Sequence, residues 1–174
     1  AHLATQLAAA HIPANILCTI VSDTLATCEA SSIMGDDELG PWRVLLAEQY
    51  ASLSRWRDAA QALQSSTPHA ARRLPQVSFA QLSVRVVELW LHDLPSHVAE
   101  AEQAIKRANS AILDERDNKA LVHELWSYHA RVLAIQHRFM EAAARYMDLP
   151  HADMYAAVYA IISPPSAQRT SMLT

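Results

Sequence analysis

Apolar and small residues recur with helical spacing at three places along the chain. Positions i, i+3, i+4 and i+7 share one face of an α-helix. The three sets are Trp56, Ala59, Ala60 and Leu63; Val98, Ala101, Glu102 and Ile105; and Phe139, Ala142, Ala143 and Tyr146. An acidic residue precedes the small pair each time, and the steps between these acids are 42 and 41 residues. A repeat of about 41 residues is typical of stacked helical hairpins rather than of a catalytic fold.

Each repeat predicts two antiparallel helices joined by a short turn, which we call helix A and helix B. The B helices are predicted over residues 56–64, about 97–113 and 138–147. The apolar stripes of the A helices comprise Leu46, Tyr50 and Leu53; Val86, Leu89 and Trp90; and Leu121, Leu125, Tyr128, Val132 and Ile135. The turns are predicted at 54–55, 93–96 and 136–137, and connections this short make the two helices neighbours.

The positions within each B helix indicate how the hairpins pack. Small residues at i+3 and i+4 let a partner helix approach closely, while the large residue fills the gap between hairpins. We therefore expect Trp56 and Phe139 to be core residues. Glu102 occupies a small position, so either that hairpin packs loosely or the carboxylate reaches its edge and pairs with a base.

Proline and glycine divide the rest of the chain. Pro13 predicts a boundary between two N-terminal helices, and residues 31–40 predict a linker that ends at Gly40. Pro41 suits the first turn of the following helix. We expect N-terminal helices and a linker over 1–40, and a repeat region over 41–174. That region holds three hairpins and C-terminal helices, including one around 154–162.

The composition agrees with an all-helical chain. Of the 174 residues, 51% are hydrophobic and 18% charged, and only two are glycine. Glycine is a poor helix former and alanine a strong one, so sheets and glycine-rich phosphate loops are disfavoured. A net charge of -4 gives no electrostatic attraction for nucleic acid or anionic lipid. No apolar run predicts a membrane span. Cys18 and Cys28 lie about 15 Å apart on one predicted helix, too far for a disulfide, which favours reduced thiols.

No arrangement of residues predicts catalysis or a cofactor. Nine histidines invite a metal hypothesis, but His123 and His129 fall on different helix faces. Ser127 stands where a zinc-protease motif starting at His123 needs its second histidine. We therefore predict no metal, cofactor or catalytic residue. Four arginines at the starts or outer faces of B helices are candidates for contacting an acidic partner: Arg55, Arg57, Arg138 and Arg145.

The ordered series of repeats resembles one family. The segments that carry the resemblance are residues 46–50 leading to 56–63, residues 101–108, residues 128–133 running into 138–146, and the tail 168–173. Together they are similar to the N-terminal helical-repeat part of subunit 4 of the constitutive photomorphogenesis 9 (COP9) signalosome. The chain departs from the family between Tyr146 and Tyr155, which is about ten residues short, and at Pro164–Pro165. None of the segments that carry the resemblance lies within residues 1–40.

The resemblance implies an all-α, right-handed solenoid of antiparallel hairpins, similar to tetratricopeptide and HEAT repeats. It implies a non-catalytic scaffold whose partners are other signalosome subunits and cullin–RING ligase components, in the nucleus and cytoplasm. Another subunit would supply the zinc active site that deneddylates cullins. The winged-helix half of the family's PCI domain is expected outside this chain, and the exposed solenoid end is expected to favour dimerisation. The alternatives are a proteasome-lid or other helical-repeat adaptor subunit and, from another class, a metal-binding helical bundle.

Overall fold

A computed structural model of the chain describes residues 12–32, 34–74, 76–114 and 118–149. These residues form α-helices and no strand, which confirms the predicted all-α helical-repeat class. In chain order the helices are α1 (Ala14–Ser31), α2 (Asp36–Ser52), α3 (Trp56–Arg73), α4 (Phe79–Leu91), α5 (Val98–Asp114), α6 (Lys119–Ile135) and α7 (Phe139–Met147). The predicted helix around 154–162 lies outside the described residues.

The chain divides into two compact units, residues 1–93 and 94–174. The first predicted hairpin, α2–α3, belongs to the first unit, and the third, α6–α7, to the second. The two helices of the predicted second hairpin, α4 and α5, fall in different units. The boundary expected at residue 40 lies inside α2, so it does not coincide with the division between the units.

Helix α1 packs into the first unit. It begins after Pro13, as predicted, and its buried side chains form a cluster with those of α2. The cluster comprises Leu17, Cys18, Val21, Leu25, Leu39, Leu45 and Leu46. Cys18 and Cys28 both lie on α1 and are free thiols. Residues 12–31 are therefore packed against the first A helix.

The prediction that 31–40 is a linker is wrong for its second half, because α2 begins at Asp36 and contains Gly40 and Pro41. Gly35 is the N-cap, and its backbone N–H donates to the Glu38 carboxylate at 3.4 Å. Gly40 lies against α3: a Cβ built on it would stand 2.6 Å from the backbone nitrogen of Ala70. This glycine allows two helices to meet closely and does not end a linker.

Helix α3 is longer than predicted. The B helix was expected to end at Gln64, but it continues through Pro68 to Arg73. The Ser66 and Thr67 hydroxyls both donate to the backbone carbonyl oxygen of Leu63, at 3.0 and 2.7 Å. These bonds satisfy polar groups on the buried face of the helix, so the polar residues before Pro68 remain helical.

In the second unit, α6 and α7 pack through small and aliphatic residues. Ala130, Leu133 and Ala142 form the buried cluster, with Tyr146 packed against it. The turn at 136–137 and the start of α7 agree with the predicted bounds to within one residue.

The residues predicted to mediate repeat packing differ in burial. The alanines and two aliphatic residues are buried: Ala59, Ala60, Leu63, Ala101, Ile105, Ala142 and Ala143. Trp56, Val98, Phe139 and Tyr146 are half-buried. The expectation that Trp56 and Phe139 are core residues is wrong, because each is the first residue of its helix and lies at the end of the hairpin, where fewer neighbours cover it.

Candidate protein-interaction site

The A–B turns of the first and third hairpins have the same backbone geometry. Ser54 and His137 both adopt the left-handed conformation, with φ of 59° and 61°. The backbone N–H of the next residue, Arg55 or Arg138, then donates to the carbonyl of Tyr50 or Leu133, each at 2.9 Å. A left-handed residue just past a helix end lets the chain reverse while its carbonyls stay hydrogen-bonded.

The arginine that follows each left-handed residue pairs with the acid three positions later. Arg55 Nε donates to Asp58 Oδ2 at 2.7 Å, and Arg138 Nε donates to Glu141 Oε1 at 2.8 Å. The hydrogen bond from Arg138 lowers the pKa of Glu141. In the first and third hairpins, the acid that precedes the alanine pair thus binds the arginine that directly precedes its helix. Its partner could have been found in the sequence, because both arginines stand three residues before their acids.

Helix α5 has a related pair at its start. His97 Nδ1 lies 3.4 Å from Glu100 Oε1. Glu102, the acid at a small position, accepts a hydrogen bond from Gln136 Nε2 at 2.9 Å. The carboxylate of Glu102 thus pairs with the side-chain amide of Gln136 at the end of α6, and not with a basic residue as was considered.

The four candidate arginines are divided between the two units. Arg55 and Arg57 belong to the first unit, where the Arg55 guanidinium lies 4.4 Å from the centre of the Tyr50 ring and Arg57 is exposed. Arg138 and Arg145 belong to the second unit. Arg138 and Arg145 line a common depression.

An open pocket of about 470 Å³ lies between α6 and α7, and we call it the α6–α7 pocket. It is lined by His129, Leu133, Arg138, Glu141, Ala144, Arg145 and Asp148. His129 is half-buried, and burial lowers its pKa; the positive charges of Arg145 and then Arg138 lower it further. The sequence pattern did not single out His129 or Asp148, because neither occupies a repeat position.

A second open pocket, of about 330 Å³, lies in the first unit and is lined by Met34, Asp37, Glu38, Pro41 and Arg73. Asp37 links α2 to α3: its Oδ1 lies 2.8 Å from His69 Nδ1 and 3.3 Å from an Arg72 nitrogen. The His69 hydrogen bond is the main reason that the pKa of Asp37 is lowered. This carboxylate is thus engaged between two helices.

Several histidines serve in packing contacts. The His92 ring stacks on Trp56 with 4.3 Å between ring centres, and His137 meets Phe139 edge-on at 5.7 Å. Within the described ranges no group of three or more histidine, cysteine, aspartate or glutamate side chains could hold a metal ion. His2, His11 and His151 lie outside those ranges. None of the described helices combines the length and the apolar character that a membrane span requires.

The chain is similar to COP9 signalosome complex subunit 4 of Caenorhabditis elegans. The two are 31% identical over 184 aligned positions, which take in 94% of this chain and 43% of that protein. The chain therefore spans less than half the length of this curated relative. No protein-family model matches the chain. The resemblance inferred from the repeats is confirmed, and it extends over nearly all of the sequence.

Proposed function

We propose that this chain, a relative of COP9 signalosome complex subunit 4, is part of a non-catalytic scaffold subunit in a complex of that kind. The observation that carries the proposal is the 31% identity over 94% of the chain. The helical hairpins agree with it, because such repeats present extended surfaces to other proteins.

The contacts of the histidines favour the scaffold over a metal-binding bundle. His69 bonds to Asp37, His92 stacks on Trp56, and His97 lies beside Glu100. Each of these side chains stabilises a helix start, a helix pair or a turn. A metal site instead needs several ligands that converge on one point.

The finer role that we propose is support of complex assembly and recognition of cullin–RING ligases. Removal of the ubiquitin-like modifier from the cullin would take place at a zinc site in another subunit. The protein would act in the nucleus and cytoplasm, where those ligases are its partners. The pocket with its two arginines supports a contact with acidic surface on such a partner.

Affinity purification of the full-length protein, tagged at its own locus, tests the proposal. Mass spectrometry is expected to identify the other signalosome subunits in near-equal amounts. Recovery of proteasome-lid subunits instead would establish the alternative adaptor. Recovery of neither set, together with stoichiometric bound zinc in the purified protein, would refute the scaffold and favour the metal-binding bundle.

A further inference from the structure

We propose that the α6–α7 pocket binds an acidic side chain, glutamate or aspartate, presented by a partner protein next to an apolar residue. The inference deepens the proposed function, since it assumes that the chain binds proteins. It adds the place of contact and the chemistry that the partner must supply.

The two arginines of the pocket differ in what they already bind. The Arg138 guanidinium donates through Nε to Glu141 and through another nitrogen to Gln136 at 3.4 Å. Gln136 in turn donates to Glu102. The positive charge of Arg138 is therefore balanced within its own turn. Arg138 holds the turn and cannot give its full charge to a ligand.

Arg145 has no such partner among residues 12–32, 34–74, 76–114 and 118–149. Among the residues that the structure describes, it forms no ion pair within 4.0 Å, although it is half-buried and lines the pocket. A partly desolvated guanidinium without a carboxylate gains a charge-assisted bidentate pair when an acidic group arrives. Within the described part of the chain, the pocket thus presents a guanidinium that forms no ion pair, in a position that a ligand can reach.

The other residues that line the α6–α7 pocket favour an acidic side chain over a free anion. Leu133 and Ala144 supply apolar surface beside Arg145, suited to the methylene groups of a side chain rather than to a free ion. Burial, and then the charges of Arg145 and Arg138, lower the pKa of His129 and so favour its neutral form, which can donate one N–H to a carboxylate. A charged guanidinium, a neutral donor and an apolar wall together match a carboxylate carried on a short aliphatic stem.

The acids at the pocket argue against a phosphorylated ligand. Glu141 and Asp148 also line the pocket. Their negative charges would repel a phosphate dianion more strongly than a carboxylate, which carries a single charge. We therefore favour an unmodified acidic segment over a phosphopeptide.

Fluorescence anisotropy with short labelled peptides and the full-length protein tests the inference. The probes are a peptide of alanine, leucine and glutamate, the same peptide with glutamine in place of glutamate, and one with phosphoserine in that place. The glutamate peptide is expected to bind about tenfold more tightly than the glutamine peptide, since a hydrogen bond to a charged group supports a factor of that order. Arg145→Gln should lose about the same factor, and Arg145→Lys should lose less.

Arg131→Gln is the matched control, because Arg131 is an exposed arginine on α6 that does not line the pocket. It should bind the glutamate peptide as the unaltered protein does, and both variants should keep its melting curve. Equal affinity for the glutamate and glutamine peptides, equal loss in Arg131→Gln and Arg145→Gln, or tighter binding of the phosphoserine peptide would overturn the inference. If the affinity purification still recovers signalosome subunits in that case, the proposed function stands and only the pocket assignment fails.

Discussion

Replacing Gly40 by alanine is expected to destabilise the first unit, although alanine is the better helix former. Gly40 is the fifth residue of α2 and faces the backbone of α3. Its added Cβ would stand 2.6 and 2.8 Å from the nitrogen and Cα of Ala70, and 2.9 Å from the carbonyl carbon of His69. All three obstructing atoms are backbone atoms, so no side-chain rotation relieves the overlap. The two helices would have to move apart.

The magnitude follows from two opposing effects. Alanine in a helix interior is favoured over glycine by about 1 kcal/mol. Overpacking that forces the backbone to shift costs about 1–3 kcal/mol, and we take the upper end because neither helix can yield locally. The free energy of unfolding should therefore fall by about 2 kcal/mol.

Urea denaturation followed by tryptophan fluorescence measures this change. Three of the four tryptophans, Trp42, Trp56 and Trp90, lie in the first unit, so the signal reports mainly on it. Gly35→Ser is the matched control, because a Cβ at Gly35 meets no atom within 4 Å and a serine N-cap should stabilise α2 by several tenths of a kcal/mol. A Gly40→Ala protein as stable as the unaltered one would refute the close approach of α2 and α3.

Three further outcomes are expected, each checked by urea denaturation. His137→Gly should be at least as stable as the unaltered protein, whereas His137→Val should lose about 1–2 kcal/mol, because the left-handed conformation strains a β-branched residue. The hydrogen bond from His69 holds the pKa of Asp37 in the folded protein below its usual value of 3.8. The ionised Asp37 carboxylate therefore stabilises the fold fully above pH 3.8, and this contribution is lost as the pH falls through the lower folded-state pKa. Asp37→Asn should therefore flatten the loss of stability below about pH 4. Ala142→Leu should cost about 1–3 kcal/mol in the packed face of α7, while Ala144→Leu on its exposed face should cost little.

Each of these outcomes has a result that contradicts it. Equal stability of the glycine and valine variants at position 137 would contradict the left-handed conformation of His137. An Asp37→Asn protein that loses stability in acid as steeply as the unaltered one would show that the link between α2 and α3 contributes nothing. Equal effects of leucine at 142 and 144 would mean that the two faces of α7 are not distinct.

The sequence predicted those features that depend on local periodicity. The start of α7, the end of α6 and the turn between them follow from apolar spacing alone. The alanine pairs in the first and third B helices were recognised because alanines at i+3 and i+4 have no other reason to recur. These elements were predictable because the information for each lies within a single turn or two of helix.

The failures share a cause, which is contact between elements distant in the chain. Pro41 was placed in the first turn of its helix, yet it is the sixth residue of α2, which tertiary packing holds together. Gly40 was taken for a breaker because nothing local to it shows that Ala70 lies beside it. His129 lines the α6–α7 pocket because α7 packs against α6, and the sequence alone does not show that contact. Trp56 and Phe139 match the repeat pattern, but periodicity cannot tell a core position from one at the end of a hairpin.

The turn shared by α2–α3 and α6–α7 affects how the chain acquires its structure during synthesis. Each turn is closed by hydrogen bonds and ion pairs between residues no more than five positions apart. Contacts so local form quickly, because little chain entropy is lost in closing them. The first hairpin can thus close as soon as its own residues leave the ribosome, before the third has been translated. A nascent chain stalled at a length that has just released Arg73 from the ribosome would already protect the backbone amides of this turn from hydrogen exchange.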